Sequence, residues 1–118
     1  AAALACLAET KRLNVIENAA ARGTQLFEGC KALREKHQII GDVRGGYGLM
    51  TAIEMVSDRA TKKPIDAATT TTVQEIAYQN GAMVRISGPN LILSPSLVLS
   101  ESDAATILSA IDAGFAAV

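Results

Sequence analysis

The sequence has no tryptophan, two tyrosines and two phenylalanines, so its core must be assembled almost entirely from aliphatic side chains. With a single histidine, His37, it cannot build a multi-histidine metal site, and no Ser/His/Asp set or pair of carboxylates at a shared turn is in view. His37 falls at the frayed end of a helical stretch, where a cation suits the helix dipole and a structural or solvated histidine is expected. Cysteine is scarce. Cys6 and Cys30 both lie in helical patterns without metal-ligand neighbours, and read as small buried apolar residues rather than a disulfide. No apolar run approaches the roughly 18 residues of a membrane helix, and the Ala-rich start lacks the basic leader of a signal peptide. No membrane association is expected, and the expected compartment is the cytoplasm. Neither sign of charge dominates: 11 basic residues face 12 acidic ones, the formal net charge is -1, and the basic residues are scattered. That excludes a stripe able to neutralise a run of phosphates, and with it a nucleic-acid partner.

What is present is the composition of a folded domain, 49% hydrophobic and 19% charged over 118 residues, enough for one domain spanning residues 1–118. Ala1 to Leu7 already reads as helix interior, with no cap or turn before it, so the chain is expected to be an excised piece of a longer polypeptide. A first helix runs to about Arg12. Asn14 with Glu17 three residues later has the pattern of a capping box for a second helix over about 15–36. Ile39, Ile40 and Val43 lead as a strand into Arg44-Gly45-Gly46-Tyr47-Gly48, a tight glycine bend, followed by a β-prone run from Leu49 to Val56. The glycines enter a strand rather than open a helix and lack the Lys-Ser/Thr of a P-loop, which sets a nucleotide cradle aside. Apolar residues on both faces of that run suggest a central, doubly covered strand, in which Glu54 wants a cationic partner.

The charged, proline-ended stretch from Ser57 to Pro64 reads as a solvated loop. Asp66 can cap a helix that Gly81 stops, and Met83–Ile86 and Leu91–Ser94 read as short strands around a Ser87-Gly88-Pro89-Asn90 turn. Ser100 with Asp103 is a second capping box, ahead of a stripe formed by Ala104, Ile107, Leu108, Ile111 and Phe115. This order has no βαβ alternation, and predicts an α+β fold with helices on a small, largely antiparallel sheet.

Several segments in order, covering nearly the whole chain, resemble class III aminotransferases of pyridoxal-phosphate fold type I, especially the omega-amino acid:pyruvate transaminases. They are Ala1-Ala2-Ala3-Leu4-Ala5-Cys6-Leu7, Ile40-Gly41-Asp42-Val43-Arg44-Gly45, Gly48-Leu49-Met50, Ile53-Glu54, Asp58-Arg59-Ala60-Thr61-Lys62, and Val84-Arg85 with Gly88 and Leu93-Ser94-Pro95-Ser96-Leu97. The family often has two prolines where this chain has Pro95-Ser96. The resemblance implies the C-terminal small domain of such an enzyme, whose catalytic lysine and pyridoxal 5'-phosphate site precede it in the chain. None of Lys11, Lys31, Lys36, Lys62 and Lys63 has the desolvated surroundings of a Schiff-base lysine, so no catalytic or cofactor-binding residue is expected here, and no metal ligand.

The resemblance leaves one substrate-binding candidate, Arg85, which matches the arginine that swings in to grip a substrate carboxylate and out for a bulky apolar side chain. Relatives resembling 4-aminobutyrate aminotransferase and dialkylglycine decarboxylase carry a fixed arginine in the place of Ile92. Arg44 reads as structural, paired with Asp42 or Glu54. The implied partners are the remainder of the same chain, a second copy in a homodimer or higher homo-oligomer, and small-molecule amine and keto acid substrates. The alternatives are a decarboxylase or semialdehyde aminomutase on the same scaffold, or a non-catalytic α+β binding module.

Overall fold

The computed structural model describes all 118 residues. An alanine-rich run ending in Lys11 and Arg12 forms α1, Ala2–Arg12, with its cations at the negative end of the helix dipole. Asn14 then takes a left-handed conformation, φ 48° and ψ 44°, and its side chain caps nothing. The expected capping box is absent. Asparagine serves instead as a backbone joint, a conformation its short polar side chain tolerates, and α2, Val15–Lys36, starts beyond it. No residue of α1 is buried, and Leu4, Leu7 and, at the start of α2, Ile16 stand exposed. Cys6 shares that exposure, which corrects the expectation of a buried thiol. Cys30 is fully buried, and burial pushes its thiol up to about 12, so it remains a protonated, inert hydrophobe.

The strands are β1 (Ile40–Arg44), β2 (Thr51–Asp58), β3 (Lys63–Pro64), β4 (Arg85–Ser87) and β5 (Asn90–Leu93). They lie in the order β1-β2-β5-β4 with β3 beside β2, and every pairing is antiparallel. β2 is central, as its apolar run suggests, but Leu49 and Met50 belong to the glycine corner rather than to the strand. The expected loop is shorter than its composition implies: Ser57 and Asp58 complete β2, and Lys63–Pro64 pair back on it. Asp58 closes the turn by accepting from the Ala60 amide and the Thr61 hydroxyl. Arg59, expected to face water, turns inward. It donates from Nε to the Ile40 carbonyl (2.9 Å) and from Nη2 to the carbonyls of Arg34 and His37, and so satisfies the end of α2.

The two remaining helices start where their caps predict. Asp66 accepts from the Thr69 amide at 2.9 Å and opens α3, Ala67–Gln79; Gly81 follows at φ +96°. Ser100 and Asp103 form a reciprocal capping box for α4, Glu101–Ala116. Both helices pack over one face of the sheet, so that Ile53, Met55 and Leu91 meet Val73, Ile111 and Phe115 in the core. Fully burying each such side chain stabilises the fold by about 1.5–3 kcal/mol. The strand pattern shows where cover ends: Thr51, Ile53 and Met55 are buried, whereas Ala52 and Glu54 between them are only half-buried. The expected two-sided cover of β2 is therefore met only at Val56, which is buried on the second face, and that face is open beside Ala52 and Glu54.

His37 ties α4 to the end of α2. Its Nε2 lies 2.6 Å from Asp112 Oδ1, its ring centroid is 5.7 Å from that of Phe115, and Lys36 Nζ lies 2.6 Å from Asp112 Oδ2. The Lys36 hydrogen bond first, and the His37 bond second, hold the Asp112 carboxyl below its ordinary range. A depressed carboxylate contributes stability above its unfolded value, near pH 4, and loses it as pH falls through the folded value. Asp112→Asn is expected to lower stability at pH 7 by about 1 kcal/mol, and the gap between variant and parent should close below pH 3. Urea midpoints at both pH values check this; a gap of equal size at both would remove the carboxylate from the account.

Candidate functional site

In an antiparallel pair, directly opposed residues share a face, so the register of four strands writes out the open face of the sheet. One row runs Arg44, Ala52, Ile92, Arg85, and the next Asp42, Glu54, Asn90, Ser87. The face thus carries two arginines at opposite edges, separated by the small Ala52 and the apolar Ile92.

The two arginines differ in how their charge is answered. Arg44 donates to Glu54 Oε2 at 2.7 Å, to Asp42 Oδ2 at 3.1 Å and to Asn90 Oδ1 at 3.0 Å. The Glu54 hydrogen bond is the main reason its already high pKa is raised. Its structural reading holds, and Glu54 has the cationic partner its position demanded; Asn90, the third acceptor, carried no signal in the sequence because it lies on the far side of β2. A neighbouring cavity of about 430 Å³ is lined by Arg34, Arg44, Arg59, Lys62 and the acids Asp42 and Glu54. Most of that charge is consumed locally, Arg44 by the acids and Arg59 by three backbone carbonyls.

Arg85 is the opposite case. It is the first residue of β4, exposed, and its side chain takes part in no ion pair or hydrogen bond. It lies on the rim of an open groove of about 420 Å³, where Met83 and Val84 run into β4 and Leu93 to Pro95 run out of β5. Ile92, opposite Arg85, gives the groove an apolar wall, and Gln74 of α3 closes it from the helix side. An unpaired guanidinium beside apolar walls can grip a carboxylate with its planar fork, and its long stem lets it leave. Sequence reasoning picked out Arg85 and Ile92 but missed Gln74, which meets Val84 only because α3 folds back across the turn at Gly81.

Pyridoxal phosphate asks for a desolvated lysine, and Lys11, Lys31, Lys36, Lys62 and Lys63 are all exposed. Lys31 and Lys36 are moreover engaged with Glu28 and Asp112. The residues present do not fit the cofactor's reactive end, and no step of its chemistry is assigned to them.

The sequence model described as aminotransferase class-III matches residues 1–115. The chain belongs to the class III aminotransferase family. A taurine–pyruvate aminotransferase of Bilophila wadsworthia is 42% identical over 125 aligned residues, covering 100% of this chain and 27% of its own length. An Arabidopsis thaliana alanine–glyoxylate aminotransferase 2 homolog is 38% identical over 114 residues, covering 94% of the chain and 24% of that protein. Among solved structures, an amine transaminase from an uncultivated Pseudomonas species, in its PLP-bound form, superposes with a TM-score of 0.92 at 39% identity. It covers 98% of this chain and 26% of its own. The class III chain thus spans about a quarter of the length of the curated relatives it matches, and its α+β fold is that of the solved amine transaminase over the matched 26% of that protein.

Proposed function

We propose that this chain is the C-terminal small domain, residues 1–118, of a pyridoxal-phosphate-dependent transaminase, and that Arg85 binds the carboxylate of its acid substrates. The amino donor is an amine or an omega-amino acid, and the acceptor a keto acid such as pyruvate. The observation that carries this reading is the exposed, unpaired guanidinium of Arg85 on the rim of a groove walled by Ile92. Arg44, the other arginine on the open sheet face, is already answered by Glu54, Asp42 and Asn90, whereas Arg85 is free to take an anionic substrate. Relatives whose names pair taurine with pyruvate support an acceptor carboxylate, and extend the donors to a sulfonate that the same fork can hold. The cofactor belongs to the part of the polypeptide that the relatives have in addition, since the lysines here do not fit it. Exposed Leu4, Leu7 and Ile16 are suited to cover by that part, or by a second copy in a homodimer. No helix is long and apolar enough to cross a membrane, and two free cysteines suit a cytoplasmic setting.

The test compares the 118-residue chain with the intact polypeptide that carries it. With pyridoxal phosphate, taurine or β-alanine, and pyruvate, the intact polypeptide is expected to form alanine. The chain alone should form none, and borohydride reduction should fix no cofactor to any one of its lysines. A single lysine modified stoichiometrically in the chain alone would show that it holds the reactive site itself.

A further inference from the structure

We propose that Gln74 is the positioning residue of Arg85, fixing the pivot about which that arginine reaches its substrate; the inference rests on the carboxylate-binding reading of Arg85. β4 is three residues long and lies at the sheet edge, with β5 as its one strand neighbour. A short edge strand frays readily, because half of its backbone groups have no ladder partner. Arg85 opens that strand, so the residue before it decides where its Cα sits.

Val84 is held twice. Its side chain is buried in the main core, and its carbonyl accepts a 2.7 Å hydrogen bond from Gln74 Nε2. Gln74 is itself well placed to be a fixed point: it follows buried Val73 on α3, and α3 packs extensively on α4. With the nitrogen committed to Val84, the amide has one orientation. The donor–acceptor pair joins a helix whose Val73 and Ala77 are fully buried to the peptide preceding Arg85. Both residues line the same groove, so the helix wall and the cation keep a set spacing across it.

A movable arginine needs such a pivot more than a static one. Its side chain has no partner in this chain to define its place, and a long stem amplifies any displacement of its root. A shift of about 1 Å in a binding group is enough to cost a large factor in productive binding. Losing the Gln74 bond should therefore loosen the grip on a carboxylate without touching the amine chemistry. A purely structural glutamine would instead weaken both substrates together through loss of folded enzyme.

The experiment uses the intact polypeptide loaded with its cofactor, and four variants: Gln74→Met, which keeps the size and removes the donor, Gln74→His, which keeps a ring N–H, Arg85→Ala, and the Gln74→Met/Arg85→Ala double. Gln74→Met is expected to raise KM for pyruvate about fivefold or more, with kcat at saturating pyruvate nearly unchanged. Its half-reaction with an amine lacking a carboxylate should stay at the parent rate, and Gln74→His should recover part of the loss. On the Arg85→Ala background, Gln74→Met should change pyruvate KM no further, the sign that both act through one group. If Arg85→Ala shifts pyruvate KM but Gln74→Met does not, or if the two effects add in full, Gln74 does not position Arg85. If Arg85→Ala leaves pyruvate handling as it was, the carboxylate-binding reading fails and this inference fails with it. Equal losses in both half-reactions of Gln74→Met mark a structural glutamine and overturn the proposal.

Discussion

Arg85→Ala is expected to weaken pyruvate binding in the intact enzyme by well over tenfold, while single-turnover reaction with an amine that has no carboxylate keeps most of its rate. The size follows from what the guanidinium does. Removing one partner of a hydrogen-bonded charge pair across a desolvated interface costs about 2–5 kcal/mol. Arg85 stands exposed on this chain, so the lower end applies unless the rest of the enzyme closes the groove; about 2 kcal/mol is a factor of about thirty. The asymmetry follows from what the guanidinium lacks. It has no ion pair or side-chain hydrogen bond to lose, so its removal should leave the fold untouched, unlike removal of Arg44, which joins β1 to Glu54 on β2 and Asn90 on β5. Arg85→Lys should be nearly as harmful to pyruvate binding, because a point charge on a shorter stem cannot reproduce a bidentate fork. The measurement is reduction of the cofactor by the amine and its reoxidation by pyruvate, followed separately in parent and variant. Equal losses in the two half-reactions, or none in either, would make Arg85 a structural residue.

What the sequence revealed and what it hid divides along contact range. Asp66 with Thr69 and Ser100 with Asp103 are bonds three residues apart, and both caps stand where the pattern places them. Asn14 had the same pattern but not the same outcome. Between two helices separated by only Leu13 and Asn14 the chain needs a joint, and the left-handed asparagine supplies it instead of a cap. The segment Ser57 to Pro64 misled because its composition is that of a loop, whereas its backbone ladder to β2 and the inward turn of Arg59 depend on where α2 ends, some twenty residues away. Apolar residues on both faces of the run identified β2 as central but could not say how much cover each face receives, since that depends on what lies against Ala52 and Ile92. The site follows the same division. Arg85 was legible through a motif, Glu54 through the need of a carboxylate for a cation, and Gln74 not at all.

Gly23→Ala is expected to be among the most destabilising single-methyl changes in the molecule, costing about 2 kcal/mol or more. Gly23 lies in the middle of α2, where alanine would ordinarily be the better residue by about 1 kcal/mol. Position overrides propensity here: a methyl group on Gly23 would stand 2.1 Å from the Gly48 carbonyl oxygen and 2.6 Å from its carbon. Those are backbone atoms, and Gly48 is fixed at φ +66° within the corner that turns β1 into β2. The helix cannot back away without pulling Leu26 and Cys30 from their packing, and the corner cannot yield without shifting the register that sets Arg44 opposite Ala52. Gly29 gives the control on the same helix. A methyl there would meet Leu108 Cδ1 at 2.4 Å, a closer approach than many, but to the free end of a side chain that can change rotamer. The helix-propensity gain should then offset most of the cost, leaving Gly29→Ala within about 1 kcal/mol of the parent. Urea unfolding of the two variants against the parent decides between propensity and contact. A Gly23→Ala protein as stable as Gly29→Ala would mean that the α2 backbone does not press on the glycine corner, and that the corner's glycines serve the turn alone.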